Sequence, residues 1–210
     1  KAASNMEREI AVEGAKFLLE RGAAVTVLVC DGDTKTAEAI RKEVPALKDL
    51  LEVWNDVNHM AINFGKQLRE AGVPEKEAKV LQDSYHRAIK QEWAAKKTAA
   101  AAGSAAEQKK ARVQSMSKRI HASILHYLKD HSSCDKAWCP VASGSDPGHV
   151  PSKLGKYVDE KYHADVLMIL DTYTDITLLG KLLEECSTNT CEAGNSLLWR
   201  VYLSKDNFRP

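Results

Sequence analysis

The 210-residue chain lacks an excess of charge of either sign: 30 Lys and Arg stand against 29 Asp and Glu, for a formal net charge of +1. Binding of polyanions through bulk charge is thereby excluded, and any nucleic-acid contact must come from a local cluster. Long apolar runs are missing as well. The longest, Ala23 to Cys30, is short and interrupted by Thr26, whereas a membrane-spanning helix needs roughly 18–20 apolar residues. No phosphate-binding loop, dinucleotide fingerprint or nucleophile elbow is present, which removes the usual sequence grounds for a nucleotide-dependent enzyme or a serine hydrolase. The chain opens at Lys1 without the positive, apolar, small-residue succession of a secretory signal, and is expected to be an excerpt from something longer. What remains, 44% hydrophobic and 28% charged residues, is the composition of a folded globular chain, of a length suited to one core.

Periodicity supplies the elements. Ile10, Ala11, Ala15, Phe17, Leu18 and Leu19 recur at helical spacing from Asn5 to Arg21, and Gly22 follows where a helix cap would sit. Ala23 to Cys30 is valine-rich and bounded by Gly22 and the Asp31-Gly32-Asp33 turn, so it predicts a strand buried on both faces. A helix over 34–43 ends near Pro45, and Leu50 to Trp54 suits a second strand. Helix, buried strand, acidic turn and helix in that order indicate an α/β domain with parallel strands. Roughly eighty residues without a strand signal then follow, with helices over 57–71, from Pro74 to about Trp93, and through Lys109 to about Leu128, and an alanine-rich stretch at 94–108 between the last two that reads as a loosely packed helix or linker rather than core. Residues 131–150 read as a loop, 159–185 as helix, and 186–191 as a final loop opening onto a helix to Tyr202. The resulting division is an α/β core over 1–72, a helical insertion over 73–130, a Cys/His loop over 131–150 and C-terminal helices over 151–210.

Asp31 and Asp33 close a buried strand, where open α/β sheets place their ligand crevice. Such hard oxygen ligands suit Mg²⁺. The plainer alternative is a turn with a helix N-cap. An EF-hand is excluded, since its sixth and twelfth positions would be Thr36 and Lys42 rather than Gly and Glu. Two distant segments sharpen the reading: Trp54-Asn55-Asp56-Val57-Asn58-His59, and Asn189 through Glu192 and Asn195 to Trp199. Taken in order with Asp31-Gly32-Asp33, they resemble the catalytic core of Mutator-like transposases, especially the transposase-derived domain of arthropod genomes. His59 matches the family's Cys-x-x-His element in its histidine only, with Asp56 where cysteine is usual, and Ala193 replaces a serine. The loop from His131 through Cys134 to Cys139 also looks like a cysteine loop of these proteins.

The resemblance implies a ribonuclease H-like fold, here partial because its N-terminal strands are missing, with acidic residues that hold Mg²⁺ or Mn²⁺ for DNA strand cleavage and joining. The family's second acid maps to Asp31, with Asp33 the alternative, and its third to Glu192; His59, Asn189 and Asn195 would support them. Its first acid would lie on a strand ahead of the first helix, and none is apparent there, so the chain alone is not expected to turn over. The implied partner is double-stranded DNA, as transposon ends and target, in the nucleus; a homo-oligomer is allowed and no membrane is involved. A domesticated, catalytically inactive DNA-binding or protein-interaction domain is the alternative. Without the resemblance, Glu192 and Asn189 read as a first-turn acid and an N-cap, His59 as an ordinary histidine on an amphipathic helix and Trp199 as core.

Of five cysteines, four fall in close pairs, Cys134 with Cys139 and Cys186 with Cys191. Thiols or a metal are expected rather than a disulfide framework. His131, Cys134 and Cys139 carry three ligand types of a tetrahedral zinc site, with Cys186 or Cys191 as the fourth; free thiols beside a loop are the alternative. Lys109, Lys110, Arg112, Lys118 and Arg119 form the one basic cluster suited to phosphate contacts, or else a solvated helix face.

Overall fold

A computed structural model describes residues 3–30, 35–96 and 104–184. Two compact units divide the chain, the described part of the first ending at Asp56 and the second running from Val57. Each has its own hydrophobic cluster, so a length suited to one core is shared between two.

In the first unit α1 (Ala3–Glu20) is followed by β1 (Val27–Cys30), α2 (Lys35–Glu43), a 3₁₀ turn at Pro45–Leu47 and β2 (Glu52–Asn55). β1 and β2 pair in parallel with Val27 opposite Glu52 and Cys30 opposite Asn55. The Asp56 amide extends the ladder by donating to the Cys30 carbonyl at 3.0 Å. α2 makes the crossover that a parallel pair requires, and its Ala37 and Ile40 are buried with Val12 and Ala15 of α1, Val44, Leu47 and Leu51. The expected strand from Ala23, buried on both faces, is corrected: the strand is four residues long and half-buried throughout. Among the described residues the sheet has two strands, too few to cover β1 from all sides.

The second unit is helical: α3 (Val57–Glu70), α4 (Glu75–Lys96), α5 (Ala105–Leu125), a 3₁₀ turn at His126–Leu128, α6 (Pro140–Ser143), a 3₁₀ turn at Glu160–Tyr162, α7 (His163–Tyr173) and α8 (Ile176–Gly180). Apolar residues at three- and four-residue spacing bury one stripe of each long helix: Val57, Met60, Phe64 and Leu68 on α3, Leu81, Tyr85 and Ile89 on α4, Val113, Met116, Ile120 and Ile124 on α5. At the centre Phe64 stacks on Tyr85 at 4.9 Å, and both meet Tyr173 of α7 edge-on at 5.3 and 6.0 Å. Two buried aromatic donors are satisfied, the Tyr85 hydroxyl donating to the Tyr173 carbonyl at 3.2 Å and the Trp93 indole of α4 to the Leu182 carbonyl at 2.8 Å. Gly72 ends α3 with φ 86°, a conformation glycine adopts without steric cost, and Pro74 directly precedes α4. The start of α5 is fixed by a capping box: the Ser104 hydroxyl accepts from the Glu107 amide, and the Glu107 carboxylate accepts from the Ser104 amide at 2.8 Å.

The single helix expected over 159–185 is corrected to two. α7 stops at Tyr173, and Asp175 caps α8 by accepting from the Thr177 and Leu178 amides at 2.8 and 3.1 Å. Apolar periodicity continues across the break, which hides it from a pattern reading. No helix of the described residues is long and apolar enough to cross a membrane.

Candidate metal centre

At the end of α5 the chain reverses and folds back on itself. His126 opens the 3₁₀ turn and is 8% exposed. Lys129 then takes a left-handed conformation at φ 68°, and the Asp130 amide donates to the Leu125 carbonyl at 3.0 Å. The Asp130 carboxylate accepts from the Ser132 amide at 2.9 Å, closing the turn that returns His131 toward His126. Asp135 organises the next turn: its carbonyl accepts from the Trp138 and Cys139 amides at 3.2 and 3.0 Å, and its carboxylate from the Ala137 amide at 2.8 Å. Cys139 caps α6, its sulfur accepting from the Ala142 amide at 3.5 Å.

These turns converge four donors, His126, His131, Cys134 and Cys139, whose ligand atoms all lie within 4.8 Å of one another. Cys134 Sγ is 3.7 Å from His126 Nδ1 and 3.8 Å from His131 Nδ1; Cys139 Sγ is 3.7 and 3.3 Å from the same atoms. A tetrahedral zinc with bonds of about 2.3 Å to sulfur and about 2.0–2.1 Å to nitrogen would separate sulfur from nitrogen by roughly 3.5 Å. The four distances bracket that value, and two imidazoles with two thiols are the donor set of a closed structural zinc site. The residues therefore fit the metal.

The surroundings prepare them for it. His131 Nε2 lies 3.1 Å from the Tyr157 hydroxyl, which itself donates to the His149 carbonyl at 2.5 Å. The phenol oxygen thus accepts from Nε2–H, leaving the Nδ1 lone pair turned toward the sulfurs. Burial, reinforced by the neighbouring His131 and His149, lowers the pKa of His126 to about 4, so its imidazole is neutral at pH 7. Burial and the adjacent Cys139 push the Cys134 thiol up to about 12; a bound cation reverses that balance, because coordinating thiols are deprotonated.

Two consequences are measurable. Tyr157→Phe removes the acceptor that orients His131, and metal affinity is expected to fall about 10- to 100-fold, as for other outer-shell partners, in competition with a chromophoric chelator. In the metal-free protein His126 has a folded pKa below its unfolded value of about 6.5. The unfolded chain then binds the extra proton, so stability is full above about pH 6.5 and declines as pH falls toward about 4. Thermal unfolding across that window is expected to show a smaller decline for His126→Gln.

Among the described residues the fourth donor of the set is His126. The residue spacing points instead to Cys186 or Cys191 for that position, and both lie outside the described residues. The sequence signal for His126 is its distance of five positions from His131, but His126 also continues the helical pattern of α5. Asp31, Asp33, Asn189, Glu192, Asn195 and Trp199 likewise lie outside the described residues. His59 is half-buried in the first turn of α3, and Asp56 is fully buried at the end of β2. Of the basic cluster, Lys109, Lys110 and Lys118 are exposed. Arg112 is bound to the Glu184 carboxylate at 3.0 Å and to the Leu183 carbonyl, and Arg119 contacts Glu92 at 3.4 Å.

A parallel β-α-β unit joined to a helical unit that carries a His₂Cys₂ cluster in the loop after α5 defines a helix-rich α/β protein with a candidate structural metal site. The model of the Mutator-like transposase family matches residues 1–139, ending on the last of the four donors, and the chain belongs to that family. No curated protein and no solved structure matches it.

Proposed function

We infer that the protein is part of a DNA transposase whose ribonuclease H-like core cuts and joins DNA strands with Mg²⁺ or Mn²⁺ held by Asp31 and Glu192. The observation that carries this reading is the family match over 1–139, which spans the sequence Asp31-Gly32-Asp33, the Asp56-to-His59 segment and the whole His₂Cys₂ cluster. In such chemistry the divalent ions stabilise the attacking and leaving oxygens of an in-line phosphoryl displacement. The protein's own part is to position carboxylates for them and to hold the duplex, at transposon ends and at target DNA in the nucleus, with self-association an added feature. The His₂Cys₂ cluster has no open coordination position for a substrate, and its role is structural: a zinc ion would tie the loop after α5 to the helical unit.

A second reading, a domesticated DNA-binding or protein-interaction domain without catalysis, is favoured by Asp56. It stands where the family usually has cysteine, and it is fully buried. The experiment that separates the two is plasmid nicking by the product of the complete reading frame in Mg²⁺ or Mn²⁺. Cleavage abolished by Asp31→Asn and by Glu192→Gln supports the enzyme. Binding of DNA without cleavage under every metal condition supports the inactive domain, and cleavage that survives both substitutions overturns the assignment of the acids.

A further inference from the structure

Beside the metal cluster lies a groove of about 810 Å³, walled by α4, α5 and the loop that follows. Its cations arrive from three separate segments: Arg87 on α4, Lys118 and Arg119 on α5, and Lys153 just ahead of Leu154. Arg87, Lys118 and Lys153 are exposed, and among the described residues none of them is in an ion pair. Arg119 is the exception, resting on the buried carboxylate of Glu92. Among the described residues the single acid of the lining is Asp135, whose carboxylate already accepts the Ala137 amide. In a chain of net charge +1 this is a local concentration of positive charge, and the convergence of three segments makes it a concave site rather than the solvated side of one helix. Only Lys118 and Arg119 of it belong to the basic run visible in the sequence.

The groove also carries a ring. Trp138, between Cys134 and Cys139, lines it and is 50% exposed, while its indole packs against His126 at 5.3 Å between centroids. An exposed indole fixed by a metal-ligand loop, with unpaired cations around it, presents a flat apolar face and a positive rim together. Single-stranded nucleic acid offers the complement, phosphates for the cations and an unpaired base for the ring. A duplex offers the phosphates but keeps its base faces stacked on one another. Ser84, in the same lining and 4% exposed, has a hydroxyl with no hydrogen-bond partner among the described residues.

We propose that this groove binds an unpaired segment of DNA strand, with Arg87, Lys118 and Lys153 on its phosphates and the Trp138 indole against a base. The assignment rests on the reading that the protein acts on DNA, and adds the form of DNA held and the side chains that hold it. The segment would be one in which transposition or local melting has separated the strands.

The test is fluorescence anisotropy of labelled oligo(dT) and of a duplex of equal length, titrated with the zinc-loaded chain over a range of salt. The groove predicts tighter binding of the single strand. Replacing Arg87, Lys118 and Lys153 together by glutamine should lower the slope of log K against log salt by about 2, because each phosphate neutralised on a single strand contributes about 0.7 to it. Trp138→Ala should weaken oligo(dT) by about tenfold or more at unchanged slope, and Trp138→Phe should recover most of that affinity. Cobalt-substituted samples with unaltered visible spectra show that the variants keep the metal loop. Preference for duplex, an unchanged slope in the triple variant, or equally good competition by poly-glutamate overturns the groove. Duplex binding that survives these substitutions leaves the DNA reading standing, whereas failure to bind either form removes both.

Discussion

Cys139→Ser is expected to abolish tight binding of zinc, with a loss well beyond the ~100-fold that outer-shell substitutions reach. Cys139 is 1% exposed, sits against both histidine Nδ1 atoms at 3.3 and 3.7 Å, and caps α6 through its sulfur. Serine keeps the cap but replaces a soft thiolate by a hydroxyl that stays protonated. Cobalt titration followed by visible absorption checks the outcome: the intense bands of a tetrahedral thiolate site appear with the unmodified chain and vanish in the variant. His126→Ala should behave in the same way, whereas Cys186→Ser should bind normally. The reverse pattern would show that a late cysteine, and not His126, completes the site. Because such a site couples metal binding to folding, with apparent free energies of about 10–16 kcal/mol in small zinc domains, chelation should lower the unfolding temperature of the unmodified chain and leave that of Cys139→Ser nearly unmoved. Binding should also release protons, since the Cys134 thiol is pushed up to about 12 by burial and by Cys139 before a cation arrives.

Phe64→Ala is expected to cost about 3–5 kcal/mol of stability, the range for truncating a large aromatic side chain in a packed core. Phe64 is fully buried and touches Tyr85 of α4 and Tyr173 of α7, so its removal opens a cavity where three helices meet. Urea unfolding should shift its midpoint downward with little change of slope. A destabilisation below about 1 kcal/mol would mean that the three helices close over the gap. Tyr85→Phe keeps the ring stack and removes the bond to the Tyr173 carbonyl, leaving a buried acceptor unpaired, and should cost about 1–3 kcal/mol.

Much of the helical unit is legible in the sequence. Met60, Phe64 and Leu68 mark α3 because three- and four-residue spacing is a local property of the chain, and the same holds for the short valine-rich strand before Asp31. The Ser104-x-x-Glu107 box is present in the sequence, but it sits beside an alanine-rich stretch whose composition reads as linker. Three metal donors are legible from ligand type and close spacing.

Residue spacing along the chain determined the helix-strand-helix-strand order of the first unit, the long helices α3 to α5, and the candidacy of His131, Cys134 and Cys139, because each depends on neighbours only a few positions apart; the parallel crossover between β1 and β2 follows from that order. Tertiary structure alone brought His126 to the other three donors. It ends a helix whose periodicity it also satisfies, and only the left-handed turn at Lys129 folds His131 back onto it. The same holds for the basic groove, since Arg87, Lys118 and Lys153 are far apart in sequence and meet only through the packing of α4, α5 and the loop beyond them. Local pattern reports which face of an element is apolar; which polar side chains then share a space is set by how those faces pack.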